Sequence, residues 1–462
     1  MSTFIPRTLT AHMGLGLSGV PVDDVLMDEA LQRIERMIAD GGTHQIATAN
    51  VDFLVHATKD EEYRRMLCMC DLVVADGMPI VWASKLFGIP LRERVTGSDL
   101  IPLLVHLSAR KGYSIFLLGA TPEVAELAVR HMEKSAPGVR VVGRMSPPIT
   151  PLDQIDNEAI LAEIERAKPD ILLVAFGSPK QEKWISRNRH RLNVPVCIGI
   201  GATLDFMSGV VKRAPLWMQK SGFEWLYRMA VEPKRLGPRY FKDAVWMFRY
   251  LVLQVAQHRL RSFRSERLEV ALDVIGSVHV IQISGSMAGS GLSKLQEILS
   301  SAIQKQHPIV LDLTKTSHVG ADGLWALAGM LRLAARHRCE LRLSGLSSSL
   351  QKELRAAGFG GLFIAATCPM EAIRQVSRGR VQLNLEIGEN WALCRIVGDD
   401  IPASARKTIE EICQSLRRVS EHFEIETTSI SERNSVLIAA SVANLKDLPG
   451  SSSSLVQAAG AA

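Results

Sequence analysis

The stretch Phe116-Leu-Leu-Gly-Ala-Thr-Pro-Glu123 shows the strand, turn and helix pattern that is typical of the first half of this 462-residue chain. An apolar strand runs into Gly119, Thr121 can cap a helix, and Pro122 suits the first helical position. Apolar runs alternate with helical patterns on both sides of this turn. The strand-like runs are His44–Ala49, Leu72–Ala75, Ser114–Leu118, Val139–Val142, Ile171–Ala175 and Val194–Ile200. Their alternation with helices predicts an α/β domain, built on a parallel sheet that helices cover on both faces.

The composition is that of a globular protein with more than one domain. The chain is 47% hydrophobic and 22% charged with a net charge of +6, so we expect two or three domains, each with its own core. Seven scattered cysteines indicate a reducing compartment, and Cys68-Met69-Cys70 has no second pair at metal-ligand spacing. The N-terminus does not read as a signal peptide, and no run reaches the ~20 apolar residues of a membrane span. These features predict a cytoplasmic protein without a metal site.

A basic, aromatic-rich stretch follows the α/β region. Residues 208–267 hold 13 Lys+Arg against 4 Asp+Glu, a net charge of +9, whereas the rest of the chain carries −3. The stretch is also rich in aromatic residues, among them Trp217, Phe223, Trp225, Tyr227, Tyr240, Phe241, Trp246, Phe248 and Tyr250. Such a mixture suits a segment that lies on an anionic membrane surface. A packed helical hairpin with a solvated basic face is the alternative; no nucleic-acid-binding motif accompanies the stretch, so nucleic acid is not an expected partner.

The sequence divides into five segments. Residues 1–208 are predicted to form the α/β domain, and residues 209–265 are the basic stretch. Residues 266–378 are predicted to form a small α/β module. Residues 379–446 read strand, strand, helix, strand, strand, and an offset of 113 residues aligns them with the module as a degenerate repeat, although the pattern is common enough to arise by chance. Residues 447–462 are predicted to be a disordered tail.

Three turns that follow strands are candidate anion sites. Beside Phe116–Glu123, the turn Phe176–Glu182 offers Ser178 as an N-cap and Gln181 to close a capping box, and Gly199–Thr203 follows another strand. Free N–H groups at a helix N-terminus bind anions, although ordinary helix capping explains any one of these turns alone. Three of them in one sheet indicate a nucleotide diphosphate that lies across the strand ends.

The run Gly14-Leu-Gly-Leu-Ser-Gly19 matches the dinucleotide-binding pattern G-x-G-x-x-G. No clear strand precedes the run, and Pro21 follows it where a helix should begin. The sequence therefore does not predict dinucleotide binding at these glycines.

Polar residues also follow two buried strands, in Thr48-Ala-Asn-Val-Asp52 and in Ala75-Asp-Gly-Met78. An Asp between an apolar strand and a glycine is well placed as a general base, because partial burial can raise its pKa; a loop-capping role is the alternative. Residues 1–250 contain no Asp-x-Asp motif and no cluster of His, Cys and carboxylate residues. A diphosphate leaving group would then depend on arginines and helix N-termini rather than on a divalent metal.

Together these motifs resemble the WecG/TagA/CpsF family of bacterial glycosyltransferases. The resemblance covers about residues 10–245, in the stretches TANVDF (48–53), ADGMPIV (75–81), RVTGSDL (94–100), FLLGATPEV (116–124), FGSPKQEKWI (176–185), GIGATLDF (199–206) and VKRAPLWMQKSGFEWLYRMAVEPKRLGPRYF (211–241). It implies a Rossmann-like domain that carries out an inverting, metal-independent and cofactor-independent transfer from a UDP-sugar to a polyprenyl-diphosphate-linked sugar. The implied setting is the inner face of the cytoplasmic membrane, in the synthesis of an exopolysaccharide, a capsule or a teichoic-acid-like polymer.

The resemblance also implies roles for individual residues. Asp76 matches the proposed catalytic base, Thr48 a residue that stabilises the reacting centre, and Gln181 a donor-site residue. The other residues that the matching motifs assign to substrate binding are Asn50, Gly77, Arg94, Thr96, Asp99, Gly119, Thr121, Gly177, Lys180, Glu182, Gly201 and Arg213.

In this family the basic segment closes over the active site and meets the lipid diphosphate. Arg228 and Arg235 match its arginines, whereas Pro238 precedes Arg239 and interrupts the match there. All three arginines are assigned to substrate binding.

The second module resembles a STAS domain, the fold of anti-sigma-factor antagonists, over about residues 268–375. The matching stretches are IVLDLTKTSHVGADGLWALAGM (309–330) and ELRLSGLSSSLQKELRAAGF (340–359). In phospho-regulated members a Ser or Thr stands where this chain has Ala321, and alanine has no hydroxyl to phosphorylate. The resemblance implies a module that docks a protein partner or senses a nucleotide, with a structural, dimerising role as the alternative.

Two classes of function stay open. One is a glycosyltransferase that moves a hexose or N-acetylhexosamine from UDP. The other is a regulatory binding protein, in which the STAS module docks a partner and the first domain only senses a nucleotide-sugar. The joint presence of Thr48, Asp76, Gln181, Arg228 and Arg235 favours the enzyme. The donor sugar and the oligomeric state, a homo-oligomer included, also stay open.

Overall fold

The computed structural model describes residues 14–360 and five later strands. The gaps within 14–360 are residues 202, 210–212, 232, 263–266, 276–277 and 305–306. An antiparallel hairpin of β1 (Gly14–Leu17) and β2 (Val20–Asp23) begins the described chain. Ser18 and Gly19 have φ angles of 52° and 81°, as a tight hairpin turn requires. The glycine run is therefore strand and turn rather than the start of a helix.

Six parallel strands form the sheet of the first domain. They are β3 (His44–Ala49), β4 (Leu72–Ala75), β5 (Ser114–Gly119), β6 (Arg140–Met145), β7 (Ile171–Ala175) and β8 (Val196–Gly199). Their spatial order is β4-β3-β8-β7-β5-β6, and each neighbouring pair is parallel. The predicted parallel α/β fold is confirmed. All six carboxyl ends lie at one edge of the sheet, where ligands of such folds bind.

Helices cover both faces of this sheet. They are α1 (Met27–Asp40), α2 (Val51–Lys59), α3 (Glu61–Met69), α4 (Met78–Leu86), α5 (Gly97–Lys111), α6 (Pro122–Ser135), α7 (Asn157–Ala167), α8 (Lys180–Asn188) and α9 (Thr203–Met207). Alternate residues of β5 belong to different cores, because Leu117 packs in one cluster while Phe116 and Leu118 pack in another. Burial on both faces explains why the strands read as continuous apolar runs.

The basic stretch folds into three helices, α10 (Leu216–Ser221), α11 (Glu224–Val231) and α12 (Pro233–Ser262). Helix α12 packs on the first domain through Trp246 and Gln254, which are buried. On its other side Phe241 and Phe248 are 74% and 73% exposed. Among the described helices, none is both long and apolar enough to cross a membrane.

The second module is a five-stranded sheet with three helices. Its elements are β9 (Glu269–Ile275), β10 (Val278–Met287), α13 (Leu292–Gln304), β11 (Ile309–Val319), α14 (Ala321–Arg336), β12 (Leu341–Ser344), α15 (Ser348–Ala356) and β13 (Ala365–Ala366). The spatial order is β13-β12-β11-β10-β9, with β9 antiparallel to β10 and the other pairs parallel. The element order from β9 to α15 is the one that the sequence predicts.

The last described strands form a separate sheet in the order β14 (Gln382–Ile387), β15 (Trp391–Val397), β16 (His422–Thr428) and β17 (Val456–Ala458). One antiparallel pair is followed by parallel pairs, as in the second module, although the repeat itself stays a prediction. Within the predicted disordered tail, 447–462, the structure describes only β17, whose backbone pairs with β16; the rest of that prediction lies outside the described residues.

Candidate active site

The ends of β3 and β4 bring the two predicted catalytic residues to one edge of the sheet. The strands pair in register, with Thr48 opposite Val74 and Ala49 opposite Ala75. Directly beyond the pairing, the N–H of Asp76 donates to the carbonyl of Ala49 over 2.8 Å. Thr48 and Asp76 therefore lie on neighbouring strands at the carboxyl edge, with Asp76 two residues beyond Val74, the partner of Thr48.

Asn50 and Gly77 form the turns that follow these strands. Asn50 is the N-cap of α2, and its side-chain oxygen accepts from the N–H groups of Asp52 and Phe53. Gly77 is the N-cap of α4, and a Cβ on it would lie 3.7 Å from Asn50 Cβ. Asn50 thus has a capping task of its own beside the substrate-binding role that the resemblance implies.

The carboxyl of Asp76 has an unusually high pKa. Burial raises the pKa of its carboxyl to about 7, and the negative charge of Glu224 adds to the rise. The N–H of Gly97 and the cations Arg94 and Arg228 act in the opposite direction and favour the ionised form. The side chain is only partly buried, so it keeps access to a ligand. A carboxyl with a pKa near neutrality suits a general base.

The N-terminus of α5 lies against this pair. Thr96 caps the helix, since its hydroxyl oxygen accepts from the N–H of Asp99 over 3.1 Å and donates to Asp99 Oδ2 over 2.6 Å. A Cβ on Gly97 would lie 3.4 Å from Thr48 Oγ1. A side chain at Gly97 would therefore begin in direct contact with Thr48.

Four charged side chains link α5 to the basic segment. Arg213 donates to Asp99 Oδ1 over 2.7 Å and to Glu224 Oε1 over 3.3 Å. Arg94 Nη1 lies 3.9 Å from Glu224, and Arg94 Nη2 donates to the carbonyl of Gln219 over 3.0 Å. Arg94, Asp99 and Arg213 are therefore paired with protein groups, and the cluster fixes α10 and α11 beside Asp76.

The turn between β5 and α6 has the form that the sequence predicts. Gly119 has a φ of 105°, and a Cβ on it would lie 2.6 Å from the carbonyl oxygen of Ala175. The hydroxyl of Thr121 caps α6 by accepting from the N–H of Val124, and Pro122 occupies the first helical turn. The turn is held close to the end of β7, at the edge where the nucleotide is expected.

Gln181 joins the turns after β7 and β8. Its side-chain oxygen accepts from the N–H of Gly177 and from the N–H of Gly201, each over 3.1 Å. Its side-chain nitrogen donates to Glu182 Oε1 over 2.6 Å. Gln181 is buried, and its bonds to Gly177 and Gly201 hold the turns after β7 and β8 at a fixed separation.

The prediction of Ser178 as the N-cap of α8 is wrong. The cap is Pro179, which makes no side-chain hydrogen bond. The hydroxyl of Ser178 does not cap the helix, because it bonds to the Tyr63 hydroxyl over 3.1 Å and to Glu182. Burial raises the pKa of Glu182 to about 7. Lys180 lies over the ring of Phe176, and burial lowers the pKa of its ammonium group.

Arg228 of the basic segment lies beside Phe206 and has a guanidinium nitrogen without a partner among the described residues. Its guanidinium carbon lies 5.3 Å from the ring centroid of Phe206. In the described part of the chain its Nε is buried without a hydrogen-bond partner. The side chains of Arg235 and Arg239 lie outside the described residues.

Sequence reasoning missed Gly97, Phe206 and Glu224 as members of the site. Gly97 and Phe206 lie inside matching motifs, so their motif membership was the available signal. Glu224 is an acidic residue in a strongly basic stretch, which is a local signal for an internal ion pair. No group of three metal-ligating side chains occurs among the described residues.

Comparison with known sequences explains this arrangement. Residues 15–261 match the family described as "Glycosyl transferase WecG/TagA/CpsF family", over the sheet, the site and the basic segment. The chain belongs to this glycosyltransferase family. Residues 270–365 of the glycosyltransferase match the description "Mlab, STAS domain", so the second module is a STAS domain.

Two curated relatives share the glycosyltransferase domain. Each is an N-acetylglucosaminyldiphosphoundecaprenol N-acetyl-beta-D-mannosaminyltransferase of Staphylococcus aureus, from strain MRSA252 at 31% identity and from strain NCTC 8325 / PS 47 at 30%. Both alignments cover 47% of this chain and 85% of the relative. A solved structure of the anti-sigma factor antagonist SpoIIAA in its unphosphorylated form matches 23% of this chain and 96% of its own, at 21% identity and a TM-score of 0.21.

Proposed function

We propose that this glycosyltransferase transfers a hexose or N-acetylhexosamine from UDP to a polyprenyl-diphosphate-linked sugar, with inversion and without a metal ion, in the synthesis of a surface polysaccharide. The observation that carries the proposal is Asp76, a partly buried carboxyl with a pKa of about 7 at the edge where the strand-end turns meet. The named activity of the Staphylococcus relatives supports the class of acceptor.

In the proposed reaction Asp76 accepts the proton of the acceptor hydroxyl while that oxygen attacks the anomeric carbon. The bond from the anomeric carbon to the phosphate oxygen breaks on the opposite face, and UDP leaves with the bonding electron pair. Thr48 stands beside Asp76 and would hold the reacting centre in place. General base catalysis of this kind contributes about 10²–10⁴-fold to a rate.

The departing diphosphate needs positive charge and N–H donors. Arg228 supplies a guanidinium whose Nε has no hydrogen-bond partner in the described structure. The N-terminus of α6, after Gly119, supplies the positive end of a helix dipole. Arg235 and Arg239 stay proposed binding residues on the strength of the motif alone.

The direct test is UDP release from a panel of UDP-sugars with a short-chain polyprenyl-diphosphate–GlcNAc acceptor, in EDTA. We expect acceptor-dependent release for one donor, at a rate that EDTA does not change. Loss of release in EDTA would contradict the metal-independent mechanism. If folded protein with acidic vesicles present released UDP from none of the donors, the result would favour the regulatory alternative.

We further propose that α12 places the enzyme on the inner face of the cytoplasmic membrane. Phe241, Val245 and Phe248 recur at helical spacing and are exposed on the side of α12 away from the first domain. Lys242 and Arg249 lie next to them on the same exposed surface. An apolar stripe flanked by cations suits the interface of an anionic bilayer.

A double substitution, Phe241→Ser with Phe248→Ser, should weaken binding to vesicles that contain phosphatidylglycerol by about tenfold or more, because each buried Phe contributes about 1.5–3 kcal/mol. Vesicle co-sedimentation measures the change. The matched control is Leu127→Ser with Ile149→Ser, two exposed apolar residues of the same domain outside α12. Equal binding by both double variants would contradict the assignment of this face.

A further inference from the structure

The STAS domain packs on the glycosyltransferase domain through α14, and glycines of β1 make the close approach. A Cβ on Gly14 would lie 2.3 Å from Trp325 Nε1, and one on Gly16 would lie 2.5 Å from Leu324 Cβ. Real Cβ atoms do not approach neighbours so closely, so both positions need glycine while α14 is in place. The run Gly14–Gly19, which matches the dinucleotide-binding pattern, is therefore the surface on which α14 packs.

The hairpin turn meets the STAS domain a second time. A Cβ on Gly19 would lie 2.7 Å from the carbonyl oxygen of Gly358, and one on Gly358 would lie 2.7 Å from Gly19 N. Both residues have positive φ angles, of 81° and 83°. Two tight turns from different domains are therefore in backbone contact.

Polar side chains of α14 complete the contact at spacings of seven and four residues. Trp325 Nε1 donates to Asp23 Oδ1 over 3.0 Å. Arg332 donates to the carbonyl of Cys70 over 2.6 Å, and Arg336 donates to Asp71 Oδ1 over 2.7 Å. The side chains of Asp23 and Asp71 are only 3% and 5% exposed. Asp23 also accepts from the N–H of Val73, and Asp71 from Arg189, so the bonds from α14 add partners across the interface to carboxylates that are buried there.

Ala321 lies at the position where phospho-regulated STAS domains carry a hydroxyl. It is 3% exposed and belongs to an apolar cluster with Leu15, Leu17 and Val20 of the hairpin. Its methyl group is thus part of the contact between the domains. A phosphate at this position would place charge in that apolar cluster.

The hairpin also holds α12. Gln254 Nε2 donates to the carbonyl of Gly16 over 3.3 Å, and Gln254 Oε1 accepts from the N–H of Ser18 over 3.3 Å. Trp246 packs in the same apolar cluster as Leu17. Gly16 therefore contacts α14 of the STAS domain and α12 of the basic segment at once.

We propose that the partner of this STAS domain is the glycosyltransferase domain of the same chain, and that, through the β1–β2 hairpin, the STAS domain holds helix α12 in position over the catalytic domain. Residues Ala321, Leu324, Trp325, Arg332 and Arg336 form the docking face. The inference concerns the arrangement of the domains and does not depend on the donor sugar or on the acceptor.

The test compares amide hydrogen exchange in the unsubstituted 462-residue protein and in its Ala321→Asp variant. An Asp in the first turn of α14 suits the helix dipole, so the STAS domain should keep its fold while its docking face acquires a buried charge. We expect exchange in residues 14–23 and 243–255 to become about tenfold faster or more. Ser348→Asp is the matched control, because it places the same charge at the exposed first residue of α15.

A second variant tests the same contact from the other domain. Gly16→Ala adds one methyl group that collides with Leu324, and it should speed exchange in the same two segments. Unchanged exchange in both variants would overturn the docking assignment. Faster exchange in the hairpin alone, with α12 still protected, would overturn the claim that the STAS domain holds α12. Neither result depends on whether the transferase assay succeeds.

Discussion

Asp76→Asn should lower kcat by about 10²–10⁴-fold while the KM for the donor changes little, because the amide keeps the shape of the carboxyl but cannot accept the proton of the acceptor hydroxyl. The N–H of Gly97, which now faces the carboxylate, can still donate to the amide oxygen. The loss should therefore be chemical rather than structural. UDP release under saturating acceptor measures it.

In the wild-type enzyme, kcat should also depend on pH through the ionisation of Asp76. A base must be unprotonated to act, and burial raises the pKa of Asp76 to about 7, so kcat should rise with pH through neutrality and level off above it. Glu182 is the control, since its carboxyl is also buried with a pKa of about 7 but bonds to Gln181. The Glu182→Gln variant should show the same rise of kcat through neutral pH.

Two results would contradict the base assignment. One is an Asp76→Asn enzyme with kcat within a few-fold of wild type. The other is a rise of kcat through neutral pH that disappears in Glu182→Gln, which would move the titrating role to the second buried carboxyl.

Gln181→Leu should lower the free energy of local opening of β7 and β8 by about 2–5 kcal/mol. The substitution removes the acceptor that the N–H groups of Gly177 and Gly201 share and one donor to Glu182 Oε1, while Ser178 still bonds to Glu182. Each of the two part-buried bonds contributes about 0.5–1.5 kcal/mol, and the bond to the buried carboxyl of Glu182 contributes about 1–2 kcal/mol. Hydrogen exchange of the two strands measures the loss. The kcat/KM for the donor should fall with it, because the two turns would no longer be held at a fixed separation.

Arg187→Gln is the matched control on the same helix. Arg187 pairs with Glu62 and Asp153 at the surface, where its side chain is 44% exposed, so its loss should cost less than about 1 kcal/mol. A Gln181→Leu protein as stable as Arg187→Gln would show that Gln181 acts only on the ligand and not on the turns.

The sequence predicted the elements well because their signals are local. The continuous apolar runs of β3 and β7 reflect burial on both faces, and the predicted bounds of both strands match the observed ones. Thr121 and Pro122 begin α6 as expected, since capping involves only neighbouring residues. The prediction of the N-cap of α8 was wrong because Ser178 bonds to Tyr63, which is 115 residues away in the chain.

The candidate site shows the same difference between features set by neighbouring residues and features set by tertiary contacts. Asp76, Thr48 and Gln181 could be named from motifs, because a strand followed by a polar turn is visible in the chain. Their electrostatics could not, since the pKa of Asp76 depends on burial and on Glu224 from another element. The pairing of Arg94 and Arg213 through Glu224 depends on tertiary contact in the same way.

Periodicity and capping involve neighbouring residues, and they were enough to predict the parallel α/β fold and the strand ends that carry the candidate site. The order of a glycosyltransferase domain and a STAS domain came from the resemblance of longer motifs to two families. The role of the run Gly14–Gly19 became visible only in the folded chain. Its glycines admit Trp325 and Leu324 from more than 300 residues away, and a missing side chain gives no sign in the sequence of the neighbour that fills its space.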